Sequence, residues 1–403
     1  MKGVRYPSSM YFNNSSLRMA HKYGASKEAF DKATQIMCTE VSIPVSHRYN
    51  ARHGEKDLHH SLMALSISNG YAESGMKRLA MEASSLDVPS GSWVRDAVER
   101  VQESRMTVML NDALQSTLDQ VKHFGVFATP VIAGLDKHKV PRYDATIDRG
   151  YLTRGKYGRG TTTYETYATL QCVEEGRRAQ VACEHVGLFD ENADLISKLL
   201  TNAKMDGIDI SLLLLDREFF SCAVINGLKR LRQPFLMPCR LTKGVKQALI
   251  EYAQGTRKPV SGHAIRGYRG DQQQEASFTL VILPKRGCGK ESDPLKKYIP
   301  FATNIHIGKI LWNVSRLSKD YRLRWGIETG YNAIEQFRAR TTSRNHSLRL
   351  LYFYYAMILY NAWLLANLTL ARSICKHLKN PIITVQVLKA VFGRTIIKSI
   401  SKG

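Results

Sequence analysis

The chain has 403 residues, of which 44% are apolar, with 58 Lys or Arg against 35 Asp or Glu. That length and apolar share exclude a disordered or fibrous chain and suit two or three domains with a real core. The formal charge of +23 excludes an electrostatically indifferent surface and points to a polyanionic partner, DNA or RNA foremost.

Residues 1–115 read as a mostly helical domain. They carry 14 basic and 12 acidic residues, so charge does not mark them for nucleic acid. Asp57 is expected to cap a helix through LHHSLMALSI, and one long helical period runs from Ser92 to about Lys122. Gly70 and the group Pro89-Ser90-Gly91 interrupt the pattern.

From Phe124 the character changes. FGVFATPVIAGLD is apolar and β-branched, and reads as a strand ended by Asp136. Residues 137–159 hold seven Lys or Arg against two Asp and are rich in glycine. This reads as a loop able to follow a phosphate backbone through Arg154, Lys156 and Arg159, or equally as a solvated loop. TTTYETYATLQCV and RRAQVACEHVGLF read as strands joined in a hairpin at Glu174-Glu175-Gly176. A helix from Asn192 to Ala203, the strand ISLLLLD ending in Asp216, and a helix from Glu218 to Leu231 follow. Three strands, helix, strand, helix is the order of an α/β sheet of the ribonuclease H kind. The catalytic core would then run over 116–231 and resume over 315–372. Between them, residues 232–314 alternate short strand-like runs with Gly- and Lys-rich turns and read as a β-rich insertion.

Residues 350–371 carry no charge over 22 positions, long enough to span a bilayer. Asn361, Asn367, Thr369 and four tyrosines favour a buried core helix instead, so no membrane contact is expected. Residues 336–403 hold 11 basic residues and no acid, and 373–403 read as a basic tail that adds salt-sensitive affinity through residues such as Lys389, Arg394 and Lys398. Seven scattered cysteines without CxxC spacing suit a reducing compartment and give no zinc signal. Cys183 and His185 stand close together without two further ligands nearby in sequence, and read as core filling. No signal peptide is evident, so a cytoplasmic, nucleoid-associated protein is expected.

Two acids at strand ends and one on a helix are the parts of a magnesium site for phosphodiester chemistry. Asp136 and Asp216 end strands that would be neighbours. Tyr321, Arg324 and Glu328 are spaced three and four apart in YRLRWGIETGYNAIEQF, so on one helix they share a face. Three convergent carboxylates repel one another unless cations bind between them. Each has a plain alternative: Asp216 as a helix cap, Asp136 as a turn residue with Asp144 and Asp148 as rivals, Glu328 paired with Arg324 on a solvated face.

Tyr321-x2-Arg324-x3-Glu328 resembles the signature around the third acid of the DDE transposases of bacterial and archaeal insertion sequences, Y-x2-R-x3-E-x6-K. LLLLDREFF resembles the segment around their second acid, and VIAGLDKHKVPRYD that around the first. The resemblance spans roughly residues 120–372, and departs where Glu335 takes the place of the family's basic residue. It implies a metal-dependent transposase that binds terminal inverted repeats, cleaves there with water and joins the freed 3′-hydroxyl to target DNA. Asp136, Asp216 and Glu328 would hold two magnesium ions, with manganese able to substitute. Arg324 would contact a phosphate near the scissile bond, and Tyr321 would touch the DNA backbone or orient Glu328. Lys319, Arg322, Arg338 or Arg340 would supply the charge missing at 335. Trp312, Tyr298 and Phe301 are candidates to stack a flipped base, although core packing suits them as well. Pairing two ends implies a homodimer on DNA. The alternatives are a nuclease of the same fold that cuts without joining, and a DNA-binding protein that has lost catalysis.

Overall fold

A computed structural model describes residues 25–37, 41–42, 52–85, 87–99, 101–143, 150–158, 160–269, 271–285, 287–306, 308, 314–374 and 379–400. Arg159, Trp312, Asp144 and Asp148 lie outside these residues. A mixed α/β architecture results, with one sheet of nine strands carrying helices.

The N-terminal part is helical, as its periodicity requires: α1 (Ala25–Gln35), α2 (Glu55–Ser68), α3 (Ala72–Ala83), α4 (Gly91–Glu99) and α5 (Glu103–Lys122). Two details differ from the sequence reading. Asp57 does not start α2 but sits in its first turn, where its carboxylate accepts from the Gly54 backbone N–H at 2.9 Å. The single period from Ser92 to Lys122 is cut into α4 and α5, and α5 runs past residue 115 toward the sheet.

The sheet is built from β1 (Val131–Arg142), β2 (Thr153–Gly158), β3 (Thr161–Cys172), β4 (Gln180–Val186), β5 (Ile210–Leu215), β6 (Phe235–Pro238), β7 (Val260–Arg269), β8 (Gln272–Pro284) and β9 (Tyr298–Thr303). Its order is β2-β3-β1-β5-β6-β9-β8-β7, with β4 also paired to β3. β1 runs antiparallel to β3 and parallel to β5, and β5 runs parallel to β6. The parallel strands carry the continuous apolar runs expected of strands covered on both faces: Leu212 to Leu215 are all buried. α6 (Asn192–Met205) joins β4 to β5, and α7 (Cys222–Arg230) joins β5 to β6.

Asp136 does not end its strand. The ladder between β1 and β3 continues to Arg142, so the basic stretch after Asp136 is strand and not loop. Part of the supposed glycine-rich loop is likewise an edge strand, β2. Residues 232–314 are β-rich, with α8 (Lys243–Ala253) among the strands, but they do not form a separate sheet. β9 pairs with β6, and β8 with β9, so this segment extends the central sheet.

The single helix expected over 321–337 is broken by a turn into α9 (Val314–Arg322) and α10 (Trp325–Phe337). α11 (His346–Ile374) contains the uncharged stretch 350–371, and it is buried along most of its length. Its asparagines are what a lipid setting would not satisfy. Asn361 exchanges two hydrogen bonds with the Gln180 backbone on β4, at 2.9 and 3.0 Å. The Asn367 carbonyl accepts from the backbones of Ile382 and Ile383. Among the described residues no helix is long and apolar enough to cross a membrane. Within the basic C-terminal stretch, most of the described residues form a packed helix. α12 (Val385–Ile400) buries Val385, Leu388, Phe392 and Ile396, spaced three and four apart, and packs on α2 and α3. Lys389 is drawn in with them, donating to Asn69 Oδ1 at 2.7 Å and to the Gln336 carbonyl at 2.8 Å.

Candidate active site

The register of the parallel pair builds the site. Leu135 lies opposite Leu215, and the pairing stops there. The next residue on each chain is an acid, so Asp136, still within β1, and Asp216, just past the end of β5, stand at neighbouring positions. The chain turns at Asp216 because its own carboxylate accepts from the Arg217 N–H at 2.7 Å, capping a short 3-10 turn over Arg217–Phe219. The capping role foreseen for Asp216 and its place beside Asp136 therefore coexist.

α10 brings the third acid. It approaches the sheet closely because both surfaces lack side chains where they meet. A Cβ on Gly134 would fall 2.3 Å from the Ile327 side chain, and one on Gly330 would fall 2.2 Å from Gln171. Tyr331 locks the contact: its hydroxyl donates to the Asp136 carbonyl at 2.9 Å and pairs with Thr169 Oγ1 at 2.8 Å. Thr169 is the residue directly across from Asp136 on β3. One turn further, His138 Nε2 meets Glu335 Oε1 at 2.8 Å, and Arg338 holds both Glu335 oxygens at 2.8 and 2.9 Å. Glu335 thus clips α10 to β1. Arg338 is committed to that clip, whereas Arg340 is exposed and uses its backbone N–H on the Gly70 carbonyl.

Arg324, in the turn between α9 and α10, stands at the centre. Its guanidinium meets Asp136 Oδ2 at 3.3 Å and Glu328 Oε1 at 3.2 Å, with only 12% of the side chain exposed. Its ring-like plane lies near Tyr321, 5.9 Å from the ring centroid, and Tyr321 donates its hydroxyl to the Leu215 carbonyl at 3.4 Å. Tyr321 therefore anchors α9 on the end of β5. Burial pushes its phenol up to about 12. Phe301 stacks edge-on against Tyr321 and Tyr298 against Tyr252, so both aromatics are engaged in packing.

The electrostatic balance of the site is acidic. Burial pushes the Asp136 carboxyl up to about 6; the Lys137 N–H and Arg324 oppose this, while Asp216 and Glu218 add to it. Glu218 is a fourth carboxylate that the sequence reading assigned only to a helix start. It lies 3.7 Å from Lys137 Nζ, and its Oε1 is buried without a hydrogen-bond partner. The signal for it was the spacing Asp216-Arg217-Glu218, which returns a second acid to the strand end. Among the described residues, the ligand atoms of Asp136, Asp216 and Glu328 do not all lie within 4.8 Å of one another. Arg324 bridges two of them instead.

Basic residues flank the acids on the overshooting end of β1. Lys139 is exposed there, and β2 places exposed Arg154 and Lys156 in the neighbouring part of the sheet.

No family model matches the sequence, and no curated protein matches it. The fold does match a solved structure, that of the piggyBac transposase synaptic complex with hairpin DNA, determined by cryo-EM. The TM-score is 0.52 at 11% sequence identity, over 99% of this chain and 84% of that one. At that identity the likeness is one of fold: this chain has the fold of a transposase.

Proposed function

We propose that the chain is a DNA transposase of the DDE type, with a ribonuclease H-like core, that binds the ends of its element, cleaves there and joins the 3′-hydroxyl to target DNA. One observation carries the reading: the parallel register of β1 and β5 that leaves Asp136 and Asp216 as adjacent acids, with Arg324 linking Asp136 to Glu328. The transposase-like fold and the +23 charge support it independently.

The donors suit magnesium. All are hard carboxylate oxygens, and Asp136 is a largely enclosed carboxyl whose ionisation its surroundings disfavour, a cost that a bound cation would relieve. Asp136, Asp216 and Glu328 would hold the ions, with Glu218 close enough to share the site. Bound magnesium supplies activation of the attacking oxygen and neutralisation of the leaving one. The chain's own groups do the rest. Arg324, released from its carboxylates, offers a planar fork to a phosphate. Tyr321 and Tyr331 hold α9 and α10 on the strand ends, so the acids keep their positions during the reaction. Lys137, Lys139, Arg154 and Lys156 would lie along the DNA backbone, and Arg340 adds charge beyond α10. In the same proposal the protein acts as a homodimer on two DNA ends in the cytoplasm.

The test is a strand-transfer assay with pre-cleaved DNA ends taken from the sequences flanking the gene, in magnesium. Joined products from wild type, lost in Asp216→Asn, are expected. Cleavage without joining would favour a nuclease. Joining that survives in Asp216→Asn would remove the assignment.

A further inference from the structure

Away from the acids of the candidate active site, a second cluster brings together residues that are distant in sequence. Glu165 on β3, His185 on β4 and His346 at the first position of α11 each offer one ligand atom, and all three atoms lie within 4.8 Å of one another. Glu165 is fully buried and His346 is 6% exposed.

The orientation of the imidazoles is the informative part. His185 Nε2 is buried and has no hydrogen-bond partner, while the ring is tied to the Tyr151 backbone. A neutral imidazole held by a backbone carbonyl on one nitrogen has a lone pair on the other, and here that lone pair has no donor to meet it. The His185 and His346 rings lie 4.4 Å apart at an angle of 69°. His346 Nδ1 meets Glu165 Oε1 at 2.5 Å, and its Nε2 lies 3.3 Å from Glu103 Oε1 on α5. Arg142 and Arg349 approach the other oxygen of Glu165, at 3.2 and 3.7 Å from Oε2, which leaves Oε1 turned to the imidazoles. His185 thus has a backbone carbonyl behind it, the arrangement that fixes a metal-ligating imidazole, and His346 Nε2 faces the Glu103 carboxylate without a hydrogen bond to it.

We propose that Glu165, His185 and His346 form a buried site for one divalent ion of the borderline class, of which zinc is the type. Two imidazoles and one carboxylate suit such an ion, and three protein donors leave a position for water. Magnesium, which requires oxygen donors, is the wrong chemistry for this set. Binding displaces the proton between Glu165 Oε1 and His346 Nδ1 to solvent, and nothing is oxidised or reduced. The ion would pin the first turn of α11 to β3 and β4. This site stands apart from the acids of the proposed transposase centre, and the inference does not rest on that reading.

The test uses the full chain, stripped with a chelator and titrated with cobalt, in an Asp136→Asn/Asp216→Asn background that disables the other acids. The expected result is one cobalt per chain with the strong visible absorption of a low-coordinate site, displaced by zinc and not by magnesium. His185→Ala removes the orphan ligand and leaves the Arg142–Glu165–His346 contacts in place, so the chain should fold and lose the absorption. Should that variant fail to fold, the parent decides: bound cobalt shifts two imidazole proton signals far outside the normal range. Absence of cobalt absorption, absorption unchanged in folded His185→Ala, or unshifted imidazole signals overturns the proposal, and leaves the cluster a buried charge network.

Discussion

Two ionic clusters face helices across the same pair of strands, and they differ in how their charges are satisfied. Around Glu165, two arginines and a histidine surround one carboxylate that water does not reach. Around Asp136, four carboxylates converge on Arg324 and Lys137, and Glu328 stays 56% exposed. In the first cluster the charge on Glu165 is compensated and enclosed, although the neighbouring His185 Nε2 has no hydrogen-bond partner. The second is acidic and open, an arrangement that costs stability unless a cation or a ligand completes it. An enclosed carboxylate met by two arginines marks a device that holds the fold, and clustered like charge at a strand end marks a chemical one.

The largest effects should separate the two. On the proposed mechanism, replacing Asp136, Asp216 or Glu328 by its amide would remove a ligand of an ion that stabilises the transition state by several kcal/mol, so strand transfer should fall at least roughly a hundredfold. Single-turnover assays in magnesium would measure it. Glu165→Gln should instead attack the fold. Stripping one partner from a buried ion network costs about 3–5 kcal/mol, read as a lower urea midpoint. The same change at exposed Glu328 should cost less than about 1 kcal/mol. If the two substitutions shift the midpoint alike, the contrast between the clusters is wrong.

Next in size is the seat of α10. Gly134→Val inserts atoms where a Cβ alone would meet Ile327 at 2.3 Å, and overpacking of this kind costs about 1–3 kcal/mol. Because the helix carries Glu328, activity should fall further than stability. Equal losses would mean that α10 does not position the site.

A pH series sharpens the role of Glu335. Burial opposes its ionisation, but hydrogen bonds from His138 and Arg338 overcome this and hold it down to about 2. A depressed carboxyl stabilises the fold above its ordinary value, about 4.5, and loses that contribution as pH falls toward 2. The stability gap between wild type and Glu335→Gln should therefore be full at neutral pH and close between about pH 4.5 and 2. A gap independent of pH would contradict the clip. The smallest effects belong to Arg154→Ala and Lys156→Ala. Each should reduce the salt slope of DNA affinity by about 0.9 while leaving cleavage chemistry unchanged.

Much of the core order was legible because apolar runs and turns are local signals. ISLLLLD, the hairpin at 174–176 and the uncharged helix declare themselves without tertiary context. The length of β1 did not, since KHKVPR carries three Lys or Arg and a histidine and reads as loop. It is strand because β3 lies beside it and because Arg142 finds Glu165, a pairing across 23 positions that no window displays. α12 was hidden differently. Its apolar spacing was present at 385, 388, 392 and 396, but the run of positive charge masked it. The cluster of His185 and His346 was out of reach for the same reason as Arg142: its members come from β3, β4 and α11. The departure at Glu335 was visible as a residue and opaque as a role, which required His138 and Arg338 to be seen beside it.

The most direct measurement is a structure of the protein with DNA ends and manganese, which scatters strongly enough to be located. Two manganese ions roughly 3.5–4 Å apart among Asp136, Asp216 and Glu328, with Arg324 turned onto a phosphate, are predicted. Arg324 still joined to Asp136 and Glu328 at saturating manganese, with no metal between the acids, would contradict the account.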